Sequence, residues 1–404
     1  MLFREVIGQN EVKQQLVEMV QHNRLSHALL FLGREGSGAL PLALAFAEYI
    51  SLLPQQQQPN GAASLFDAAA AVSLPDTPAA ADKWMMQQPS QSKAAQLVHP
   101  DIHYSYPVIT KKSGTPPISA DYATEWREFI QQFPCGNVYD WLQFIGADNK
   151  QGNITAHECN DIIRKLNLKS FESGYKILVM WMPEYLGREG NKLLKLIEEP
   201  PADTLFILVA ESESEILSTI LSRCQLVKIP ALEAADIEAA LLAKKACLPD
   251  QAKIIAHTSE GSYREALHLL QHADEDFHGL LREWLNATLK NQTIVQVKQI
   301  EEIARLGREK QKQFLRYFTH LLEQAVRLEV MGDADGRLQA GMPPGEQGFV
   351  GRLNKAMSLE QKEAVAAELD KASYYIERNA NAKILFHAVS IKIYHIVRNN
   401  VVIA

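Results

Sequence analysis

At 404 residues and about 150 residues per domain, the chain is expected to hold two or three domains. Lys and Arg total 41 against 48 Asp and Glu, a net charge of -7, which argues against a surface that grips nucleic acid throughout and leaves only a local basic patch open. No apolar run reaches membrane-span length and the N-terminus lacks the regions of a signal peptide, so the expectation is a cytoplasmic protein with no membrane contact.

The four cysteines, Cys135, Cys159, Cys224 and Cys247, include no Cys-x-x-Cys pair, so neither a metal site nor a disulfide framework is expected. Near the N-terminus, Val12, Leu16, Met19 and Val20 share one face of a helix. Residues 27–32 read as a buried strand in which His27 is a structural histidine. Gly33, Gly36 and Gly38 follow directly, ahead of a helix carrying Leu42, Phe46 and Tyr49. A glycine loop between strand and helix is the context of a phosphate loop, whose backbone N–H groups cradle phosphates at a helix N-terminus. Its chemistry is missing. Ala39 stands where a lysine would neutralise phosphate charge, and Leu40 where a Ser or Thr would hold magnesium.

Residues 54–97 are rich in Gln, Ala and Pro and read as a low-complexity insert, largely mobile, with one short helix near Phe66. Residues 99–106 read as the return to the sheet. A second insert, 111–152, places Tyr122, Trp126, Phe129, Ile130 and Phe133 on one helical face; the stripe either packs on the core or presents a partner-binding helix. Thr155 and Glu158 have the spacing of a capping box, with Ile154 as its staple, before a helix carrying Ile162, Ile163 and Leu166.

From residue 176 the pattern is strand (176–182), helix (191–199, ended by Pro200 and Pro201), strand (205–210), short helix, strand (226–229), which is the alternation of a parallel sheet. After Pro230 the chain turns helical. Phe314, Phe318, Leu321, Ala325 and Leu328 form one stripe; Leu385, Val389, Ile393 and Ile396 form another. Ser358 and Gln361 cap a further helix, and residues 332–351 read as a loop rich in Gly and Pro.

The order of buried strand, Lys-Leu-Leu-Lys-Leu-Ile-Glu-Glu-Pro-Pro, strand and Ser222-Arg223-Cys224 resembles the AAA+ subunits of bacterial clamp loaders, in particular the delta-prime type. That resemblance implies an α/β AAA+ P-loop domain, a parallel sheet flanked by helices, over 1–230. A small helical lid over 231–273 and an all-α C-terminal collar domain over 274–404 follow. It implies that Arg223, with Ser222 and Cys224 as its motif, reaches in trans to ATP held by a neighbour; the alternative is a surface arginine in an ion pair. By the same resemblance, Phe3 to Gln9 packs near an adenine, and Arg264 stands at a sensor arginine that contacts a γ-phosphate or ties lid to core. Trp181 and Met182 stand where an Asp-Glu pair would orient magnesium and water. Glu184 is either a displaced acid or a solvated or capping residue.

The expectation is a non-hydrolysing stator. No cofactor of its own is implied, because ATP and magnesium are held by neighbouring subunits. The implied partners are clamp-loader motor and delta-type subunits, with the sliding clamp and primed DNA reached through the complex. Two rivals stay open: an active AAA+ ATPase with displaced catalytic residues, and an adaptor outside replication.

Overall fold

The computed structural model of the chain describes residues 1–53, 74–111, 114, 116–147, 151–271, 277–331, 344–378 and 380–399. It divides into two compact units, Met1–Gln271 and His272–Ala404. The expected helix near Phe66 lies outside the described residues.

The first unit is built on five parallel strands. In chain order its elements are α1 (Asn10–Gln21), β1 (Ala28–Gly33), α2 (Ala39–Ser51), α3 (Pro78–Met85), α4 (Gln91–Ala95), β2 (Ile102–Ser105), α5 (Ala123–Gln132), α6 (Val138–Phe144) and α7 (Ala156–Leu166). They continue with β3 (Lys176–Trp181), α8 (Leu194–Glu198), β4 (Thr204–Ala210), α9 (Ser218–Leu221), β5 (Gln225–Ile229), α10 (Ala234–Ala243), α11 (Pro249–Thr258) and α12 (Tyr263–Gln271). The sheet order is β2-β3-β4-β1-β5. Every residue of β3 and β4 is buried, as parallel strands covered on both faces must be.

Because side chains alternate across a strand, Ile177, Val179 and Trp181 join the layer that holds α2, while Leu178 and Met180 join the opposite layer with α7. Helix α2 is buried along its whole length, which its run of Ala, Leu, Phe and Ile permits. The glycine loop leaves β1, which lies between β4 and β5, so it emerges at the carboxyl ends of the strands where open α/β sheets hold their sites.

The first insert departs from expectation. Residues 74–97 are not an uncoupled excursion: α3 starts with Thr77 Oγ1 accepting from Ala80 N–H at 3.3 Å and Pro78 in its first turn, and it buries Ala81 and Met85. Asp82, 4% exposed, accepts from the backbone N–H groups of Phe3 (2.8 Å) and Arg4 (2.9 Å), so this segment fixes the start of the chain. In the second insert Tyr122, Trp126, Phe129 and Ile130 are buried, and only Phe133 of the stripe is exposed. The stripe is core, and the reading of a partner-binding helix is corrected.

Two local expectations also change. Thr155 Oγ1 accepts from Glu158 N–H at 3.3 Å, but the Glu158 carboxylate turns to Ser119 N–H at 2.8 Å, so only half of the capping box forms. The helix read at 191–199 begins as a 3-10 segment, Pro183–Leu193, kinked at Gly187, and becomes α-helical only in α8.

The second unit is helical: α13 (Phe277–Leu289), α14 (Thr293–Arg305), α15 (Arg308–Met331), α16 (Pro344–Ala356), α17 (Leu359–Glu377) and α18 (Ala382–Asn399). Phe314, Phe318, Leu321 and Ala325 are buried with Val389, Ile393 and Ile396, as their stripes required. Ser358 and Gln361 form the full capping box. Residues 344–351 are helical, not loop, because Phe349, Val350 and Leu353 gain burial that outweighs the poor helix propensity of Gly345 and Gly348.

Candidate functional site

A cleft opens at the end of β1. It is lined by Gly33, Arg34, Gly36, Gly38 and the start of α2 at Ala39, Leu40 and Pro41; Cys135 and Gly136 from the second insert and Trp181, Val209, Ala210 and Glu211 from the strand ends complete it. The three glycines predicted for a phosphate loop are therefore together. Gly36 and Gly38 have φ of +74° and +87°, which L side chains rarely adopt. At Gly36 a Cβ would also meet Ser262 Oγ at 2.1 Å, so the segment entering α12 lies directly on the loop.

The N-terminal segment meets the same loop from the other side. Gln9 Nε2 donates to Ser37 O at 3.0 Å and to Pro230 O at 2.7 Å, tying the loop to the exit of β5.

The positions at which a phosphate loop would neutralise a triphosphate and hold magnesium carry no group for either task, and the cation in the lining is Arg34. Ala39 and Leu40 are buried and offer neither charge nor hydroxyl. Trp181 is buried, its ring 5.3 Å from that of Trp126 and 6.1 Å from that of Phe129. Met182 is also buried. Glu184 is committed elsewhere: its Oε1 accepts from the N–H groups of Glu211 (2.7 Å) and Ser212 (2.9 Å), capping the turn after β4, and burial pushes its carboxyl above the usual range. Of its two alternatives it takes the capping role, from a half-buried position. Cys135 at the cleft wall is a protonated thiol, pushed up to about 12 by burial.

Arg264 is 3% exposed and lies beside the glycine loop. Its Nε and Nη2 donate to the two carboxylate oxygens of Asp140 at 2.5 and 2.7 Å, and its Nη1 donates to Glu35 Oε1 at 2.7 Å. Backbone contact reinforces this, with Tyr263 N–H donating to Gly36 O at 3.0 Å. The arginine ties helix α12 to the core. Its partners Glu35 and Asp140 were not singled out from the sequence, where 124 residues separate Asp140 from Arg264.

Arg223 lies apart from the cleft, just after α9. Its Nη1 donates to Thr219 O at 2.6 Å and to Ser222 Oγ at 3.2 Å, and its Nη2 pairs with Glu198, the first Glu of the Glu-Glu-Pro-Pro motif. Both partners of that ion pair are partly exposed, 33% and 43%, and exposed pairs of this kind contribute about 0–1 kcal/mol. The guanidinium is thus lightly held at the surface. Cys224 behind it is pushed up to about 11 by burial, so it is a packing thiol.

Residues 8–233 match the model of the family described as DNA polymerase III, delta subunit. Among curated relatives, the DNA polymerase III subunit gamma of Buchnera aphidicola (subsp. Acyrthosiphon pisum, strain APS) is 31% identical over 144 residues, covering 34% of this chain and 39% of that protein. The DNA polymerase III subunit delta' of Bacillus subtilis (strain 168) is 23% identical over 249 residues, covering 62% of this chain and 55% of that one. The chain thus spans between about two fifths and just over half of these relatives' lengths. A solved DNA polymerase III gamma subunit-related protein from Thermotoga maritima aligns over 97% of this chain and 100% of its own, with 15% identity and a TM-score of 0.38. The parallel sheet, glycine loop and following helices are the α/β AAA+ class, and with the family match covering more than half of its length, this chain belongs to the DNA polymerase III delta subunit family.

Proposed function

We propose that the chain is a non-hydrolysing, stator-type subunit of the DNA polymerase III clamp loader. In this reading Arg223, oriented by Ser222 and Cys224, is lent to ATP and magnesium held by an adjacent motor subunit while a sliding clamp is loaded onto primed DNA in the cytoplasm. Residues 1–230 serve as the core, 231–273 as the lid and 274–404 as the collar that joins the motor and delta-type subunits. Family membership supports the complex. The observation that carries the stator role is the cleft itself: a phosphate-loop backbone whose charge-bearing positions are Ala39, Leu40, Trp181 and Met182.

A guanidinium at a neighbour's γ-phosphate stabilises charge that develops as the phosphoryl group transfers. Arg223 suits that task because its present partners are weak. Leaving an exposed carboxylate costs little against the gain of a triphosphate.

Equilibrium dialysis of the isolated chain against Mg-ATP tests the non-hydrolysing part. The expected result is no binding at micromolar nucleotide; magnesium-dependent binding with turnover would replace this reading with that of an active ATPase.

A further inference from the structure

The second insert does more than cover the sheet. Helix α5 packs its aromatic side chains on the tryptophan at the end of β3: Trp126 and Phe129 meet the Trp181 ring at a tilt, and Trp141 of α6 packs edge-on against Trp126 at 5.3 Å. Trp141 is fully buried and its Nε1 donates to Pro107 O at 2.7 Å, so α6 is anchored. From that anchored helix Asp140 reaches Arg264. The turn between α5 and α6 then places Cys135 and Gly136 in the cleft wall.

We propose that residues 123–147 wall the cleft through Cys135 and Gly136, and that Asp140 together with Glu35 forms a carboxylate clamp that holds α12 closed over the loop without nucleotide. One guanidinium faces two carboxylates, so the Arg264 charge is answered inside the protein. Held in this way, Arg264 is withdrawn from any anion that enters the cleft, where the lining itself carries Arg34 and Glu211. His268, on the same helix α12, also faces Asp140, with Nε2 4.0 Å from Oδ1. Ser262 against Gly36 and the Tyr263 N–H bond to Gly36 O hold the start of α12 on the same loop. This deepens the non-hydrolysing reading and rests on it only in holding that the loop has no nucleotide of its own. It makes no use of Arg223.

The test is hydrogen exchange on the full chain, with Mg-ATP dialysis on the same samples. Glu35→Gln leaves the α6 cap untouched; Asp140→Asn keeps a side-chain oxygen to accept the Asn137 N–H bond of that cap; Arg264→Met removes the cation. Each variant is expected to raise exchange of α12 amides about tenfold or more while β3 and β4 keep wild-type protection, since the clamp is a local closing element. The double variant Asp140→Asn/Arg264→Met is expected to exceed the larger single effect by less than about twofold, because both act through one contact. Exchange of α12 within about twofold of wild type in Glu35→Gln and Arg264→Met overturns the clamp. A uniform rise across all five strands in Glu35→Gln also overturns it, since the pair would then be a general stabiliser. Mg-ATP binding with turnover by the wild-type chain would instead overturn the non-hydrolysing reading, whatever α12 does.

Discussion

Restoring an acid at position 181 is expected to damage the fold and not to revive a site. Trp181 is 3% exposed, with Trp126 and Phe129 against its ring. Truncating such an aromatic costs about 3–5 kcal/mol through lost transfer energy and the cavity left behind. In Trp181→Asp the carboxylate adds a desolvation cost among aromatic rings, which it can relieve only by taking up a proton. Against a typical total of about 5–15 kcal/mol, that is roughly a fifth of the stability or more. With a urea slope near 3 kcal/mol/M the midpoint should fall by about 1 M or more. Urea titration followed by near-UV circular dichroism measures this, because the wild-type cluster packs three of the five tryptophans, Trp126, Trp141 and Trp181, together. A variant that keeps the wild-type midpoint, or that gains magnesium-dependent ATP binding, would refute the reasoning.

Two further outcomes are expected. Asp82→Ala should cost about 3 kcal/mol, the low end for two bonds to a charged acceptor at about 1.5–3 kcal/mol each, because one backbone donor is buried and the other only partly so; an unchanged melting temperature would return residues 74–97 to the status of a loosely attached insert. Glu184 has a folded-state pKa above its unfolded value, so it binds its proton more tightly when folded, and its contribution falls as pH rises from the ordinary carboxylate range through the raised value. Glu184→Gln should flatten that part of the stability profile relative to wild type, and parallel profiles would contradict the burial argument.

What could be read in advance was whatever depends on local period or spacing. Buried strands such as 205–210 announce themselves as apolar runs, and Ser358 with Gln361 needs only three residues of context. The emptied chemistry at Ala39 and Leu40 was equally legible, because a phosphate loop fixes those positions by count. Long-range partners were not. Nothing near Arg264 points to Asp140, and nothing near Glu158 says that its carboxylate leaves the helix start for Ser119. Composition misled for residues 74–97, although Thr77 followed by Pro78 is a helix-start signal that could have been weighed against it. For 344–351 the glycines were visible, and the burial that overrides them belongs to the assembled second unit.

The central claim is that the lightly held surface arginine acts on another subunit's nucleotide. Single-turnover clamp loading by complexes reconstituted with wild-type chain or Arg223→Ala tests it most directly. Fingers of this kind are worth about 10³ to 10⁵ in rate at the site they complete. The other ATP sites of the proposed complex keep working, so the observed loss should be smaller, yet clear. Arg223→Lys should rescue poorly, because an ammonium does not reproduce the planar fork. The account expects the alanine complex to assemble normally and load clamps more slowly; an alanine complex that assembles and loads at the wild-type rate would make Arg223 no more than the partner of Glu198.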